Sequence, residues 1–544
     1  MSSYYIGIDT GGTYTDAVLL ESTSLEVVRW AKEATTHHDL SIGVDRVLES
    51  LLSKGIAPED VRHLAVSTTL ATNAIVEGRG ARVGLFVFGY VRHFKLPVIA
   101  NVFLKGGHKI TGEEDEPLDI EGLIDTITGL KNEVDSYAVC GAMAIKNPTH
   151  ELVAQEAITM LDPKPIFCSH QVSDHPGMRA RAATACLHAK LMPLMVDFLS
   201  SIQRSMDRVK LSCPVTIICG NGKGASLDTA VERAAITMAS GPAATARFGC
   251  TAGEPTALVV DVGGTTTDVC MIRDDQSVLN AEGCIIGQWQ THVEAIDMYT
   301  AGGGGDSHVI CSADKTVAME TTRVEPLAMV PDLPDPGDWM SCDLQDSLVL
   351  PVAGLDQTIV ADDEILTCLH RDGPATPATL AKTTSLSGVM LEKRLEHLVY
   401  LQHIRLAGFT PTDALHVLGK LGIGNTNQAK AGAMAMAAAM EMEITAFCRQ
   451  VIAETEKTIE TIILDYLGRK IWQNNQTTPF LDRRDNEFFS LSFTVKIPII
   501  GIGAAARYFL PGVARNLGTS IHFPEHYEVG NAIGAALIAG EDQS

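Results

Sequence analysis

The chain reads as an α/β protein with mixed β-sheets and a duplicated domain, and three observations predict it. Two glycine-rich turns of one design lie 252 positions apart. Each turn sits between two short apolar runs of strand length. Around them, short apolar runs alternate with longer helical stretches, the pattern of layered α/β structure.

The first turn reads Ile8-Asp9-Thr10-Gly11-Gly12-Thr13-Tyr14-Thr15-Asp16, and the second Val260-Asp261-Val262-Gly263-Gly264-Thr265-Thr266-Thr267-Asp268. Tyr4 to Ile8 and Ala257 to Val260 precede them; Ala17 to Leu20 and Val269 to Ile272 follow, so each is a β-hairpin. Gly11, Gly12, Gly263 and Gly264 let the backbone come close to a polyphosphate and aim N–H groups at it. The hydroxyls of Thr10, Thr13, Thr15, Thr265 and Thr266 add neutral donors. Asp9 and Asp261 can hold a hydrated Mg²⁺ or orient an attacking water, which makes them the candidate catalytic carboxylates. Aspartate before glycine is also ordinary turn chemistry, but two matched copies favour a nucleotide clamp over two unrelated turns. Asp16 and Asp268 either join them around the metal or cap the end of each hairpin.

The remaining elements follow in order. Residues 1–30 form the first hairpin and a third strand, followed by a helical stretch near Ile42 to Lys54 and a strand at His63 to Val66. Ser67 to Ala74 is a loop entering a helix, where Thr68, Thr69 and Asn73 either meet phosphate or the domain crossing, or cap the helix. Arg82 to Phe88 opens a second α/β segment, with a buried strand at Tyr137 to Ala144 and a helix from about Thr149 to Leu161. A new unit is expected near Val172, with a long helix over Met178 to Ser205 and a strand at Pro214 to Cys219. This strand runs into Gly220-Asn221-Gly222-Lys223-Gly224, where Lys223 is either a phosphate partner or a solvated loop lysine. Gly302, Gly303 and Gly304 belong to a glycine run that reads either as a mobile turn or, since its entropy cost has no packing return, as a phosphate or ribose contact. The proline- and aspartate-rich residues 325–345 read as a surface loop. Thr410-Pro411-Thr412-Asp413 reads as a helix N-cap. Gln428 to Leu464 reads as an alanine-rich helix, and Lys496 to Ile502 as a buried strand entering Gly501-Ile502-Gly503-Ala504. That last turn can place an adenosine ribose or α-phosphate over a helix start, or can simply pack a helix closely on a strand.

Composition bounds the function. At 544 residues, two to four domains are expected. Hydrophobic residues at 46% and charged residues at 20% are those of a globular protein. A formal charge of −24 argues against nucleic acid and anionic membrane as partners. Met1 to Tyr5 lacks the basic and apolar regions of a secretory signal, and the apolar run Ala431 to Met440 is too short to span a bilayer, so a cytoplasmic location is expected. The 12 cysteines contain no C-x-x-C pair and no zinc spacing with histidine, which points to reduced thiols. His37, His38 and the other histidines read as surface or core residues.

The ordered set of hairpin, hairpin and late G-x-G-A-A turn, followed by Asn531-Ala532-Ile533-Gly534-Ala535, resembles the actin/sugar kinase/Hsp70 ATPase superfamily. That resemblance implies duplicated RNase H-like domains with inserted subdomains, closing over Mg-ATP. Within it the chain resembles the ATP-binding, hydantoinase A-like subunit of the hydantoinase/oxoprolinase family. The stretches that carry this are Ser67-Thr68-Thr69-Leu70-Ala71-Thr72-Asn73-Ala74, Asn221 to Gly224 with Ser240-Gly241-Pro242-Ala243, Ala301 to Gly305, and Gly408-Phe409-Thr410-Pro411-Thr412-Asp413-Ala414. The chain departs from the family at Glu77-Gly78-Arg79-Gly80, over Leu85 to Lys109, at Met178 to Ala182, and over Asp306 to Glu325.

The resemblance implies an N-terminal family domain over 1–171 and an ATPase domain over 172–544. It implies ATP and Mg²⁺ as cofactors, with Asp9, Asp16, Asp261 and Asp268 about the metal, mostly through water. Around the nucleotide it places Thr10 to Thr13, Thr15, Gly263 to Thr266, Gly302 to Gly304, Gly501, Gly503 and Ala504. It further implies phosphorylation of a cyclic amide or imide, of hydantoin, oxoproline or lactam type, with a hydantoinase B-like partner subunit. A regulatory ATPase of the same superfamily and an ATP-dependent carboxylase subunit are the alternatives, and a sugar kinase is the weakest of the readings.

Overall fold

The computed structural model describes residues 3–541, apart from 13, 36–39, 54, 77–79, 90–93, 173–175, 281–282, 284, 287–288, 312–314, 341–346 and 472–490. Thr13, the His37-His38 pair and the Glu77-Gly78-Arg79 element lie outside the described residues. The chain divides into two compact units. Unit 1 comprises Met1–Pro255, Met271–Asp297 and Val529–Ser544; unit 2 comprises Thr256–Cys270 and Met298–Glu528. The boundary expected at 171/172 falls inside unit 1.

Unit 1 is built on a six-stranded mixed sheet in the order Gly224–Ala225, Val215–Ile218, Val61–Thr68, Tyr4–Thr10, Tyr14–Glu21, Val27–Ala34. Tyr4–Thr10 and Tyr14–Glu21 are the antiparallel arms of the first hairpin, with Asp9 opposite Asp16. On its other side Tyr4–Thr10 runs parallel to Val61–Thr68, so Asp9 lies beside Ser67 and Thr10 beside Thr68. A second, all-parallel sheet of four strands, Ala100–Leu104, Val83–Phe88, Ser136–Gly141 and Ile166–Cys168, forms the inserted α/β segment. Its own core includes Phe86, Phe88, Tyr137, Leu123 and Ile158.

One described helix, Met178–Arg208, is long and apolar enough to cross a membrane, and 67% of its most apolar window is buried within the protein. It serves as the central core helix of unit 1, with Ala182, Leu187, Met195 and Phe198 in the main hydrophobic cluster. Helix Gly530–Glu541 returns to the first sheet on a face of small residues. A Cβ on Gly7 would lie 2.0 Å from the Ala532 carbonyl oxygen, and one on Gly534 would lie 1.8 Å from that of Ala244. These glycines are required by close backbone approach.

Unit 2 carries the turn of the second hairpin, with the arm Thr256–Val262 and the arm Thr266–Arg273 as far as Cys270. Strand Ile499–Ile502 runs parallel to the first arm, with Asp261 opposite Ile502. Met298–Gly302 pairs antiparallel with the second arm. Two expectations are corrected here. Gln428 to Leu464 is not one helix: Thr426–Ala439 and Ile444–Ile471 meet at 94°. Glu441 takes a left-handed φ of 55°, and the Glu443 side chain accepts the Ala446 N–H at 2.9 Å, starting a new helix. Residues 325–345 are not simply a surface loop either, because Leu327, Ala328, Val330, Pro336 and Met340 are buried.

We expect Gly534→Ala to destabilise unit 1 by about 2 kcal/mol, since the added methyl meets backbone and not a mobile side chain. Gly129→Ala, on a helix where the same methyl meets nothing within 4 Å, should stabilise by about 0.5–1 kcal/mol. Urea midpoints of the two variants and the wild type check both signs.

Candidate functional site

The first hairpin turn is closed by a bond from Gly11 N–H to the Tyr14 carbonyl at 3.0 Å, and the second by the same bond from Gly263 N–H to the Thr266 carbonyl at 3.0 Å. In each, an aspartate sits two residues before the first glycine, so the two copies of the motif close with the same backbone bond. Each turn is then supported in its own way.

In unit 1 the Asp9 carboxylate is buried, accepting from Ser67 Oγ at 2.7 Å and from Asn531 Nδ2 at 3.3 Å. Burial raises its pKa, against the opposing pull of Ser67, Asn531 and the charge of Lys32. Asn531 is itself held by the Thr245 hydroxyl. Ser240 bonds reciprocally to the Thr68 backbone, its hydroxyl accepting from Thr68 N–H at 3.0 Å and donating to the Thr68 carbonyl at 2.8 Å. This brings the start of helix Ser240–Gly249 to the turn, where a Cβ on Gly241 would stand 3.6 Å from Asp9 Oδ1. Thr69 N–H donates to the Thr10 carbonyl at 3.1 Å, and Asn73 Nδ2 donates to Thr69 Oγ1 at 3.1 Å beside Gly12. Thr68, Thr69 and Asn73 are therefore gathered at the turn, as are Thr10, Gly11, Gly12 and Thr15. The Thr10 hydroxyl is buried with no hydrogen-bond partner among the described residues. Thr15 Oγ1, in contrast, lies 3.1 Å from Thr35 Oγ1.

Asp16 has a partner that sequence reasoning missed. Lys32 Nζ lies 2.8 Å from its carboxylate, placed there by the third strand. Burial pushes the Asp16 carboxyl up to about 6, with Lys32 opposing and the nearby Asp9 charge adding to the rise.

In unit 2, Gly503 has a φ of +92° and lies where a Cβ would come 2.3 Å from Asp261 Oδ1. Only glycine fits a left-handed turn seated against that carboxylate. Gly501, by contrast, is a packing residue, because a Cβ there would strike the Phe523 ring at 2.5 Å and Leu510 at 3.0 Å. Ala504 is exposed at the turn before helix Ala506–Asn516. Asp268 stands opposite Thr300 in the sheet.

The amides of the glycine run are taken up within the protein. Gly303 N–H donates to the Thr265 carbonyl, Gly305 N–H to Gly263, Asp306 N–H to Gly264, and Gly304 N–H to Ser307 Oγ. Gly302 is paired opposite Thr266 in the sheet. The run is glycine because Gly304 must approach the Gly263 and Gly264 carbonyls: a Cβ there would lie 2.5–2.6 Å from them. It buttresses the second turn from behind.

Asp306, the residue after the run, stands against Gly264, with burial raising its pKa and Arg323 opposing. Thr412 Oγ1 donates to the Gly305 carbonyl at 2.8 Å and lies 3.2 Å from Asp306 Oδ1. Thr410 is the expected N-cap, and with Asp413 it forms a capping box. Asp413 additionally accepts the Leu327 and Ala328 N–H groups, and burial pushes its carboxyl up to about 7 against the opposing pull of these bonds and of Thr410.

One cluster outside these turns has metal-ligand residue types: Glu151, Cys168 and His170 each bring an atom within 4.8 Å of the others. Glu151 already accepts from Gly141 N–H, Ser169 Oγ, His170 N–H and His170 Nδ1, at 2.6–2.9 Å. Burial also raises the Cys168 thiol far above its ordinary value, away from the thiolate a metal needs. The cluster is a hydrogen-bonded node between strand ends and helix Thr149–Leu161.

The chain is thus a mixed α/β protein with two aspartate-glycine hairpin turns, each backed by small residues. The family described as hydantoinase/oxoprolinase matches residues 181–478, and the one described as hydantoinase/oxoprolinase N-terminal region matches 5–161. The chain belongs to the hydantoinase/oxoprolinase family. It is 26% identical over 347 residues to the caprolactamase subunit alpha of Pseudomonas jessenii, covering 56% of this chain and 48% of that protein. It is 27% identical over 351 residues to the acetophenone carboxylase gamma subunit of Aromatoleum aromaticum, covering 56% and 47%. The chain therefore spans about half the length of the curated relatives it matches. Its fold is that of a nucleotide-free acetone carboxylase structure (TM-score 0.68, 15% identity, 98% of this chain and 70% of that one). The structure of ATP-dependent caprolactamase from Pseudomonas jessenii shares it too (TM-score 0.62, 20% identity, 98% and 70%).

The pH dependence of stability isolates Asp16. Its folded carboxyl keeps a proton to about 6, whereas the unfolded one loses it near its ordinary 3.8. Its contribution is therefore present below about pH 4 and lost as pH rises through about 6. We expect the stability of wild type relative to Asp16→Asn to fall by on the order of 2 kcal/mol from pH 4 to pH 7. Parallel urea-midpoint curves for the two proteins across that range would contradict the assignment.

Proposed function

We propose that this chain is the ATP-using subunit of an enzyme that activates a cyclic amide or imide of hydantoin, oxoproline or lactam type. The observation that carries this is the repeated aspartate-glycine turn, with identical closing bonds, in a chain of the hydantoinase/oxoprolinase family. In this reading the two turns receive the phosphates of ATP: Gly11, Gly12, Gly263 and Gly264 allow close approach, and Thr10, Thr13, Thr265 and Thr266 supply donors. The duplication of an RNase H-like domain, as in the actin/sugar kinase/Hsp70 superfamily, belongs to the same proposal.

The residues present suit Mg²⁺. Asp9 and Asp261 offer hard oxygen donors at the turns, with no sulfur among the aspartate, threonine and serine groups that line the first. Asp9 is buried with a hydroxyl and an amide as its side-chain donors, while Lys32, whose charge also favours its ionised form, is paired directly with Asp16. When bound, the ion would neutralise charge on the transferring phosphoryl group. Asp16 and Asp268 would stand behind it, acting through water.

The chemistry proposed is transfer of the γ-phosphoryl group to the amide carbonyl oxygen. The new O–P bond forms as the bond to ADP breaks, giving an activated imidate. Water then adds at carbon, the C–N bond breaks as the ring nitrogen leaves with a proton, and a second water hydrolyses the resulting acyl phosphate to the open-chain carboxylate and free phosphate. An amide carbonyl resists water because resonance stabilises it, and phosphorylation makes its oxygen a leaving group. We assign ring opening to a hydantoinase B-like partner in the cytoplasm, a reading supported by the relatives being named as alpha and gamma subunits. The likeness to acetophenone carboxylase supports a second reading, in which the same turns serve an ATP-dependent carboxylase.

Asp9→Asn and Asp261→Asn should each lower ATP turnover at least about a hundredfold while changing nucleotide affinity less than about fivefold, because a group acting on developing charge works in the transition state. Phosphate release and titration calorimetry measure the two quantities; near-normal turnover in both variants would return these aspartates to turn chemistry.

The lone chain should hydrolyse ATP slowly and accelerate at least about tenfold with its partner subunit and a lactam or hydantoin present, as expected where closure needs the second substrate. Stimulation by bicarbonate with a ketone, and none by lactams, would select the carboxylase. Fast turnover of the lone chain without any second substrate would favour a regulatory ATPase.

A further inference from the structure

Unit 1 contains a cavity of about 650 Å³ away from the hairpin turn, between the helix Met178–Arg208, the Asn221–Ser226 loop and residues 292–294. Its volume is that of a small-molecule site. Lys223 and Arg233 stand on its wall, exposed, and among the described residues neither is paired with a carboxylate. Two such cations at one cavity stand out in a chain whose formal charge is −24. Arg233 gives one N–H to the Gln171 carbonyl at 3.2 Å, which fixes its position and leaves its other donors available.

His188 forms a buried part of the lining. Its Nδ1 accepts the Ala235 N–H at 3.1 Å, so the proton of the neutral ring resides on Nε2 and makes that atom a donor. Burial, reinforced by the Arg233 charge, lowers its pKa to about 3, which keeps the ring neutral in the working range. Phe167 stacks on the imidazole at 4.0 Å and fixes its plane.

The rest of the lining decides which anion fits. Glu294 stands on the same wall, occupied by a 3.0 Å bond from Asn221 Nδ2, and its negative charge disfavours a multiply charged phosphate. Val172, Ile236 and Val293 provide apolar surface for a carbon skeleton. We propose that this cavity binds a small monocarboxylate, with its carboxylate between Lys223 and Arg233 and its short alkyl part against these three side chains. Such a site is separate from the nucleotide reading and does not depend on it. It also has a route to the turn: Arg233 and Ile236 line the cavity, and Ala239 to Gly241, a few residues on, hold Thr72, Thr68 and the surroundings of Asp9.

Pentanoate is the probe, with pentanamide as its uncharged isostere and inorganic phosphate as the competing anion, followed by ligand-observed NMR and calorimetry on the full chain without nucleotide. The expected result is saturable one-to-one binding of pentanoate, at least about tenfold weaker binding of pentanamide, and at least about fivefold loss in both Lys223→Gln and Arg233→Gln. Both substituted residues are exposed, so the variants should unfold at the wild-type temperature. The proposal is overturned if pentanoate does not saturate, if the amide binds equally well, if phosphate binds more tightly than pentanoate, or if both variants bind as wild type.

Discussion

A carboxylate taken out of water must be solvated by the protein around it, and Asp9 sets that requirement for unit 1. Its charge is disfavoured by burial and answered by one hydroxyl and one amide, while the Lys32 ammonium that also favours it is paired directly with Asp16. Meeting the requirement brings together four pieces of chain: the hairpin, the strand ending in Ser67 and Thr68, the helix starting at Ser240 and the helix carrying Asn531. Their convergence is possible only because Gly7, Gly534 and the alanines around them let backbones approach closely.

The second turn solves a related problem with different parts. Its carboxylate, Asp261, is half-buried and lies against the left-handed turn at Gly503. The turn itself is braced by the N–H groups of Gly303, Gly305 and Asp306 on its carbonyls. A loop braced in this way costs little reorganisation when charge arrives, which is the property a phosphate site needs. The two turns share a closing hydrogen bond but not a supporting cast.

The hairpins are legible in the sequence because a tight turn needs specific residues at fixed offsets, and apolar arms flank it. The capping box at Thr410 and Asp413 is legible for the same reason. What stays hidden are roles set by distant chain. Lys32 reaches Asp16 from a neighbouring strand, and Asn531 reaches Asp9 from a helix whose sequence signals only close packing. The glycine run carries the opposite difficulty. Glycine marks close approach without saying to what, and the partner here is the protein's own carbonyls. The stretch Gln428 to Leu464 reads as one helix because good helix formers, alanine and methionine before and glutamate and lysine after, flank a break made by one left-handed residue, Glu441.

The contact between Asn531 and Asp9 also has a meaning in time. The two residues are 522 positions apart in the chain. At about 5–20 residues added per second, the ribosome makes the second roughly half a minute to two minutes after the first. During that interval the hairpin can form, but its buried carboxylate lacks one of its two side-chain donors, and the small-residue groove on strand Tyr4–Thr10 stands open. The hairpin is thus obliged to wait for a helix encoded more than five hundred codons downstream, and the nascent chain must be kept from filling that groove with something else.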